Sequence, residues 1–342
     1  MVVSGHSFCE RRGKASFLWC VLACGLVAAT ATNVRQPACA QTKVETSLHS
    51  RTQLLDPNTR MSFPERLIAT SSGKAYLLDT DLSILFSVDN KNGQVTRLCG
   101  TESLQAPSDF SIDRRGNLWV LSVLHSKIVK LNANCQAQAE VTSRNLPLRV
   151  ATNASGELIV LNGAGEHLFE MYGPEGKLLR GFGKRLEYKD ETTNSELSDG
   201  RIAPDNSGGF FFSFNYPPLI RHYSRNGSLI SEFRPESEIS IDPPNISVRK
   251  LGNSTVVRAR YQILVLDMVA DARGRLFLLL SGKNKVAAIT EGTQKLMVLT
   301  DRGRLLKKAL LENNFHRLAI GNNRLYLLRN RAPFRLDEYP LI

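Results

Sequence analysis

Six charged residues occupy one position of a phrase that recurs along the chain: Arg66, Asp109, Arg149, Arg201, Asp267 and Arg317. Their order is Arg-Asp-Arg, then Arg-Asp-Arg again. If the phrases close into a ring, each aspartate lies between two arginines and the two aspartates face one another. Planar guanidiniums grip carboxylates through paired, charge-assisted hydrogen bonds, so one expectation is an ion-pair network that staples neighbouring units. A second follows from the count. Four arginines against two aspartates leave +2 at the mouth of a concave site, which suits a carboxylate, phosphate or uronate ligand. The two expectations are compatible.

Other residues with chemical potential are sparse. His125 and His167 fall on corresponding segments of adjacent phrases, and His316 stands beside Arg317. All three are candidate binding residues. None has the H-x-H or HExxH spacing that brings imidazoles onto one zinc ion, and no Cys/His cluster accompanies them, so no metal site is expected. No G-x-S-x-G nucleophile elbow occurs. Catalytic residues therefore cannot be named from the sequence.

The phrase that must position these groups reads RLIATSSGKAYLLD, DFSIDRRGNLWVLS, RVATNASGELIVLN, RIAPDNSGGFFFSF, DMVADARGRLFLLL and RLAIGNNRLYLLRN. Each is an apolar strand, a tight polar turn and a second apolar strand. Aligned on Gly73, Gly116, Gly156, Gly208, Gly274 and Asn323, the copies are 43, 40, 52, 66 and 49 residues apart. Such self-similarity marks one supersecondary unit repeated around an array. After each turn, one column reads Tyr76, Trp119, Ile159, Phe211, Phe277, Tyr326, and the next reads Leu77, Val120, Val160, Phe212, Leu278, Leu327. Consecutive apolar columns mean strands covered on both faces. The last turn is one residue shorter, which keeps Leu318 in the apolar column beside the charged one.

Most units carry a second hairpin, with turns at Asn92-Gly93, Glu175-Gly176, Asn226-Gly227 and Arg302-Gly303. Two hairpins per unit make a four-stranded blade, and six blades make an all-β, six-bladed propeller over residues 41–342. The last unit has chain for only three strands. A strand from Lys43–Leu55 is expected to supply the fourth and close the ring, removing two exposed edges.

The units resemble NHL repeats, whose pattern is P-x-G-I-A-V-D-x-x-G-x-I-Y-V. Pro107 to Val120 (PSDFSIDRRGNLWV) matches best and Leu146 to Val160 matches less well. The resemblance implies a six-bladed propeller whose ligands bind around the upper mouth of the central tunnel, at the starts of the inner strands. There the family pattern has Gly where this chain has charge. Six-bladed relatives include calcium-dependent lactonases and esterases and a zinc-dependent lyase. Calcium needs several converging carboxylate and amide oxygens. Two aspartates flanked by arginines give a cation little support, so no cofactor is expected. The extra length lies on the same face: Lys184–Asp199, Arg234–Gln262 and Gly282–Thr293, each expected to be long loops that cover blades three to five.

The N-terminus reads as a secretory signal peptide over residues 1–40. Arg11, Arg12 and Lys14 precede the apolar run Ala15–Thr32, and Ala38-Cys39-Ala40 is a small-x-small cleavage site. A retained anchor is the alternative, because an 18-residue run is borderline for crossing a bilayer. Removal of residues 1–40 takes four basic and one acidic residue and changes the net charge from +12 to +9. It leaves two cysteines, Cys99 and Cys135, an even pair for an oxidising compartment. The expected protein is secreted or periplasmic, monomeric, without a membrane span after processing and without nucleic acid as a partner. Its first expected function is non-catalytic binding of an anionic small molecule, glycan or acidic protein segment on the arginine-lined face. A hydrolase or lyase acting at that face, resembling the lactonases and esterases, is the alternative, and a structural envelope-assembly module is a third.

Overall fold

A computed structural model of the chain describes residues 51–55, 61–188, 190–235, 243–251, 254–282, 294–329 and 332–341. It is a six-bladed β-propeller. The outlying first strand, β1 (Arg51–Leu54), precedes blade one, which is β2 (Pro64–Ala69), β3 (Lys74–Asp79), β4 (Ile84–Asp89) and β5 (Val95–Cys99). Blade two is β6 (Asp109–Ile112), β7 (Leu118–Ser122), β8 (Lys127–Leu131) and β9 (Ala137–Thr142). Blade three is β10 (Pro147–Thr152), β11 (Leu158–Asn162), β12 (Phe169–Tyr172) and β13 (Leu178–Phe182). A short helix, α1 (Glu191–Leu197), leads into blade four: β14 (Gly200–Pro204), β15 (Phe210–Phe214), β16 (Ile220–Tyr223) and β17 (Leu229–Phe233). A separate hairpin of β18 (Asn245–Leu251) and β19 (Ser254–Arg260) precedes blade five, which is β20 (Val265–Ala270), β21 (Leu276–Leu280), β22 (Gln294–Leu299) and β23 (Leu305–Leu311). Blade six is β24 (Phe315–Gly321), β25 (Arg324–Arg329) and β26 (Arg335–Pro340), with β1 hydrogen-bonded outside β26.

The N-terminal closure is therefore present in the described part of the expected segment, with Arg51 opposite Glu338 and Leu54 opposite Arg335. Leu55 is buried and donates its backbone N–H to the Phe334 carbonyl. Residues 43–50 lie outside the described residues.

Strands β7, β11, β15 and β21 are buried along their whole length, as the consecutive apolar columns require. Apolar side chains of all six blades build six clusters, one at each interface between blades. Phe169, Phe210, Phe212 and Tyr223 dominate the contact of blades three and four. Leu67, Leu77, Ala319 and Leu328 join blade six to blade one. A propeller packs sheet face on sheet face around a circle, so both faces of each middle strand must be apolar.

The register confirms the alignment of the copies. Arg66, Asp109, Arg149, Arg201, Asp267 and Arg317 pair with Leu78, Leu121, Leu161, Ser213, Leu279 and Leu328, the same place in every blade. The shorter last turn also has a backbone reason. Asn322 and Asn323 both take positive φ (48° and 54°) in a two-residue hairpin, whereas the longer turns use one glycine, such as Gly116 at 81°. Two of the three insertions are not bare loops. Lys184–Asp199 contains α1, and Arg234–Gln262 contains the β18–β19 hairpin. Most of Gly282–Thr293 lies outside the described residues.

Candidate functional site: a charged ring at the tunnel mouth

The six inner strands touch one another in a closed circle around the tunnel. In blades one, three, five and six the ladder shifts register immediately before the charged residue, between Pro64 and Arg66, Pro147 and Arg149, Val265 and Asp267, and Phe315 and Arg317. A bulge inserts one residue and re-aims the next side chain. Here it places the charged residue at the rim of the tunnel.

Each ring residue reaches the following blade. Arg66 Nε of blade one lies 3.3 Å from Asp109 Oδ1 of blade two. Asp109 Oδ2 accepts the backbone N–H of Val150 in blade three at 3.0 Å, and its Oδ1 accepts the adjacent Phe110 N–H at 2.9 Å. Arg149 of blade three holds Asp199, at the entry to blade four, by two hydrogen bonds of 3.0 and 2.7 Å. Arg201 of blade four donates from Nε to the Leu266 carbonyl of blade five at 3.0 Å. Asp267 Oδ2 of blade five accepts the Leu318 N–H of blade six at 3.0 Å, and its Oδ1 accepts the Met268 N–H at 3.0 Å. Arg317 of blade six closes the circuit on blade one through the Glu65 carboxylate and backbone carbonyl.

The partners differ from those expected. Arg149 does not pair with Asp109, and Asp267 takes neither Arg201 nor Arg317. Its nearest guanidinium is that of Arg66, 3.8 Å from Oδ1. Arg66 thus lies between the two buried aspartates that face each other in the ring. The aspartates spend their remaining lone pairs on backbone N–H groups of their own and the next blade, which fastens inner strand to inner strand. Two carboxylates absent from the sequence reading complete the circuit, Glu65 and Asp199. Four arginines face four carboxylates, so the +2 expected from the ring alone is corrected to a neutral mouth. Glu65 enters through the bulge before Arg66. Asp199 follows α1, accepts the Gly200 N–H at 2.7 Å and is held by Asn215 Nδ2 at 3.2 Å. The one available signal was adjacency, since each sits within two residues of a ring arginine.

Burial works to raise the Glu65 carboxyl, but the guanidiniums of Arg317, Arg201 and Arg149 outweigh it and hold it below the usual carboxylate range. Asp199 is held low in the same way, burial being outweighed by Arg149 and Arg201. Burial opposes the charge on Arg149 too, but Asp199 and Asp109 more than offset it and stabilise the cation. Arg201 behaves oppositely. Among the described residues it has no carboxylate within ion-pair distance, and burial together with Arg317 and Arg149 pushes it down to about 10. Asp199 and Asp267 offset its charge only in part, from beyond ion-pair distance.

Glu65, Arg66, Asp109, Arg149, Arg201 and Arg317 enclose a cavity of about 10 Å³, room for a single water-sized group. A second, larger space of about 150 Å³ lies between the inner strands, walled mainly by apolar residues such as Ile112, Ile202, Met268 and Leu318. Of the three candidate histidines, only His316 adjoins the ring. Its Nε2 meets the Pro64 carbonyl at 2.7 Å, and since a carbonyl only accepts, Nε2 carries the proton. Burial and then Arg317 push its pKa down to about 4, so the imidazole is neutral at neutral pH. His125 is exposed over a groove beside Lys127 and Glu140, and His167 packs by Gly181 of β13. Neither lines the ring cavity. The opposite face holds a dyad the sequence reading also missed. His222 Nε2 donates to Asp205 Oδ2 at 2.8 Å, and the imidazole stacks on Phe211.

Cys99 and Cys135 form a disulfide with Cα atoms 5.7 Å apart, joining the outer strand of blade one to the outer turn of blade two. Among the described residues no three His, Cys, Asp or Glu side chains group as metal ligands.

No protein-family pattern matches the chain, and no curated relative does. Solved structures do. A gluconolactonase from Xanthomonas campestris superposes with a TM-score of 0.57 at 12% identity, over 85% of this chain and 89% of that one. A member of the DUF4221 family from Bacteroides vulgatus gives 0.57 at 12%, over 86% and 96%. A streptogramin B lyase gives 0.52 at 11%, over 84% and 97%. At such identities the likeness establishes the propeller fold, and the likeness to NHL propellers stands at the level of architecture.

Proposed function

We propose that the chain is an exported, non-catalytic binding protein that takes an anionic group of a small molecule, glycan or acidic protein segment at the tunnel mouth. One observation carries this reading: among the described residues, Arg201 alone of the ring's four arginines has no carboxylate within ion-pair distance, and it faces the cavity. A half-buried guanidinium with no carboxylate in contact is only partly compensated, and an anion seated against it supplies the missing contact. The space admits one oxygen of a carboxylate or phosphate, so the rest of the ligand lies above the mouth, beside the α1 connection. The remaining ring pairs are structural staples, and the site is the gap they leave. A thermal-shift panel of acetate, glucuronate, phosphate and divalent metals tests the reading, because any native-state binder stabilises by mass action. Stabilisation by the carboxylates at constant ionic strength is the expected result. No response to any anion contradicts it.

The second reading, a hydrolase or lyase acting at the same face, is favoured by fold neighbours that include a gluconolactonase and a streptogramin B lyase. The ring offers it little general acid–base chemistry. His316 is neutral and its proton is committed to Pro64, and the four carboxylates are held by arginines or backbone. Turnover of lactone or ester substrates that persists in Arg201→Met would favour this reading.

A further inference from the structure

The face opposite the ring carries a pattern unrelated to the tunnel. Ten large apolar side chains are exposed among the described residues, and seven of them lie on β13, β17 and β23, the outer strands of three consecutive blades. Six occupy identical positions, the first two residues of each strand: Leu178 and Leu179, Leu229 and Ile230, Leu305 and Leu306, from 39% to 53% exposed. Neighbouring residues of a strand point to opposite faces, so exposure of both means that the strand start packs on neither side. The fold does not demand this. The same positions in β5 and β9 hold Val95 and Thr96, then Ala137 and Gln138, and β1 begins Arg51-Thr52.

We propose that this rim, on blades three to five, is a docking surface for a bilayer containing anionic lipid. Two features favour a lipid surface. The apolar residues occur as three separate pairs along an arc rather than as a groove, and a fluid surface accepts separated insertions where a folded partner would need one continuous complementary patch. Cations flank two of the three pairs: Lys177 precedes Leu178, and Arg302, Arg304 and Lys307 surround Leu305 and Leu306. All four are exposed and form no ion pair among the described residues. Lysine and arginine beside leucine can keep their charge at the headgroups while their stems and the leucines enter the acyl boundary. Docking by this rim leaves the charged ring, at the other end of the inner strands, open.

Co-sedimentation of the full chain with phosphatidylcholine vesicles, with and without phosphatidylglycerol, tests the assignment. The apolar run at residues 15–32 could itself bind lipid, so the reading rests on wild type and variants prepared identically. Binding to the anionic vesicles should exceed binding to phosphatidylcholine alone. It should fall at least tenfold in a Leu305→Ser, Leu306→Ser double variant, and comparably in Arg302→Gln, Lys307→Gln, with melting temperatures unchanged because these side chains are exposed. No preference for the anionic vesicles, or equal binding by wild type and both variants, overturns the proposal. Self-association of the wild type that the leucine variant abolishes, without vesicle binding, also overturns it and makes the rim a contact between copies of the chain.

Discussion

Asp109 shows how much one residue of this ring carries. Its side chain is buried, it accepts two backbone N–H groups from two blades, and it balances Arg66. Asp109→Ala should cost about 3–5 kcal/mol, the usual range when one partner of a buried pair is removed. Asp109→Asn, which keeps an acceptor for one N–H, should cost less; chemical denaturation of both variants decides. If the alanine variant is as stable as wild type, the carboxylate is not a staple. His316 yields a pH prediction. Its folded pKa of about 4 lies below the ordinary value of 6.5, so the unfolded chain binds its proton first as pH falls. The stabilising preference for neutral His316 is full above about pH 6.5 and is lost progressively down to about pH 4. Glu65 and Asp199 are also depressed, and their contribution is lost as pH falls from their ordinary values of 4.5 and 3.8 through their folded values. A His316→Gln variant, able to keep the bond to Pro64, should therefore flatten the stability profile between pH 6.5 and 4 and leave the steeper fall below it. An unchanged profile in the upper window would show that His316 does not titrate as its surroundings dictate.

At the scale of elements, two devices close the ring, and each makes a prediction. The strand β1 pairs with β26 and covers an edge of blade six. Starting the chain after Leu55 should lower the melting temperature by more than the loss of a loose tail, and an unchanged melt would contradict the role of β1 as the closing strand. The disulfide joins positions 36 residues apart. Removing such a loop constraint costs about 3–4 kcal/mol in the chain-entropy account. A Cys99→Ala, Cys135→Ala variant that unfolds at the same denaturant concentration as the oxidised protein would speak against it. The blade count and the ring column were legible in the sequence because the repeated turn residues and apolar columns fix register locally, and the closing strand because the last unit is one strand short. The partners within the ring were not. Whether Arg149 meets Asp109 or Asp199 depends on the bulge before Arg149 and on the path of the chain leaving α1. Both are tertiary facts that leave no periodic mark. Glu65 was hidden for the same reason, since an alternating strand would turn it away from Arg317. The helix and the β18–β19 hairpin lie in insertions that interrupt the repeat, where the alignment that exposed everything else gives no guidance.

At the scale of the molecule, the propeller is a set of apolar interfaces closed at one end by six polar links, one from each blade to the next. Apolar packing between blades supplies the bulk of the stability, being roughly proportional to buried area and indifferent to direction. The charged ring adds direction, since each link fixes the start of one inner strand against the next. In five of the six links a carboxylate is satisfied. The sixth, Arg201 to the Leu266 carbonyl, leaves a guanidinium at the mouth with no carboxylate in contact among the described residues. The binding proposal rests on that single asymmetry, and it separates Arg201 from its neighbours experimentally. Arg149→Met strands Asp199 and should destabilise by about 1–3 kcal/mol. Arg201→Met breaks no contact ion pair and should leave the ligand-free protein about as stable as wild type. The direct test is calorimetric titration of glucuronate into wild type and Arg201→Met at fixed ionic strength. Wild type should give saturable heat and the variant none, with the variant's melting temperature undiminished. Equal binding by both proteins, or none by wild type, would contradict it.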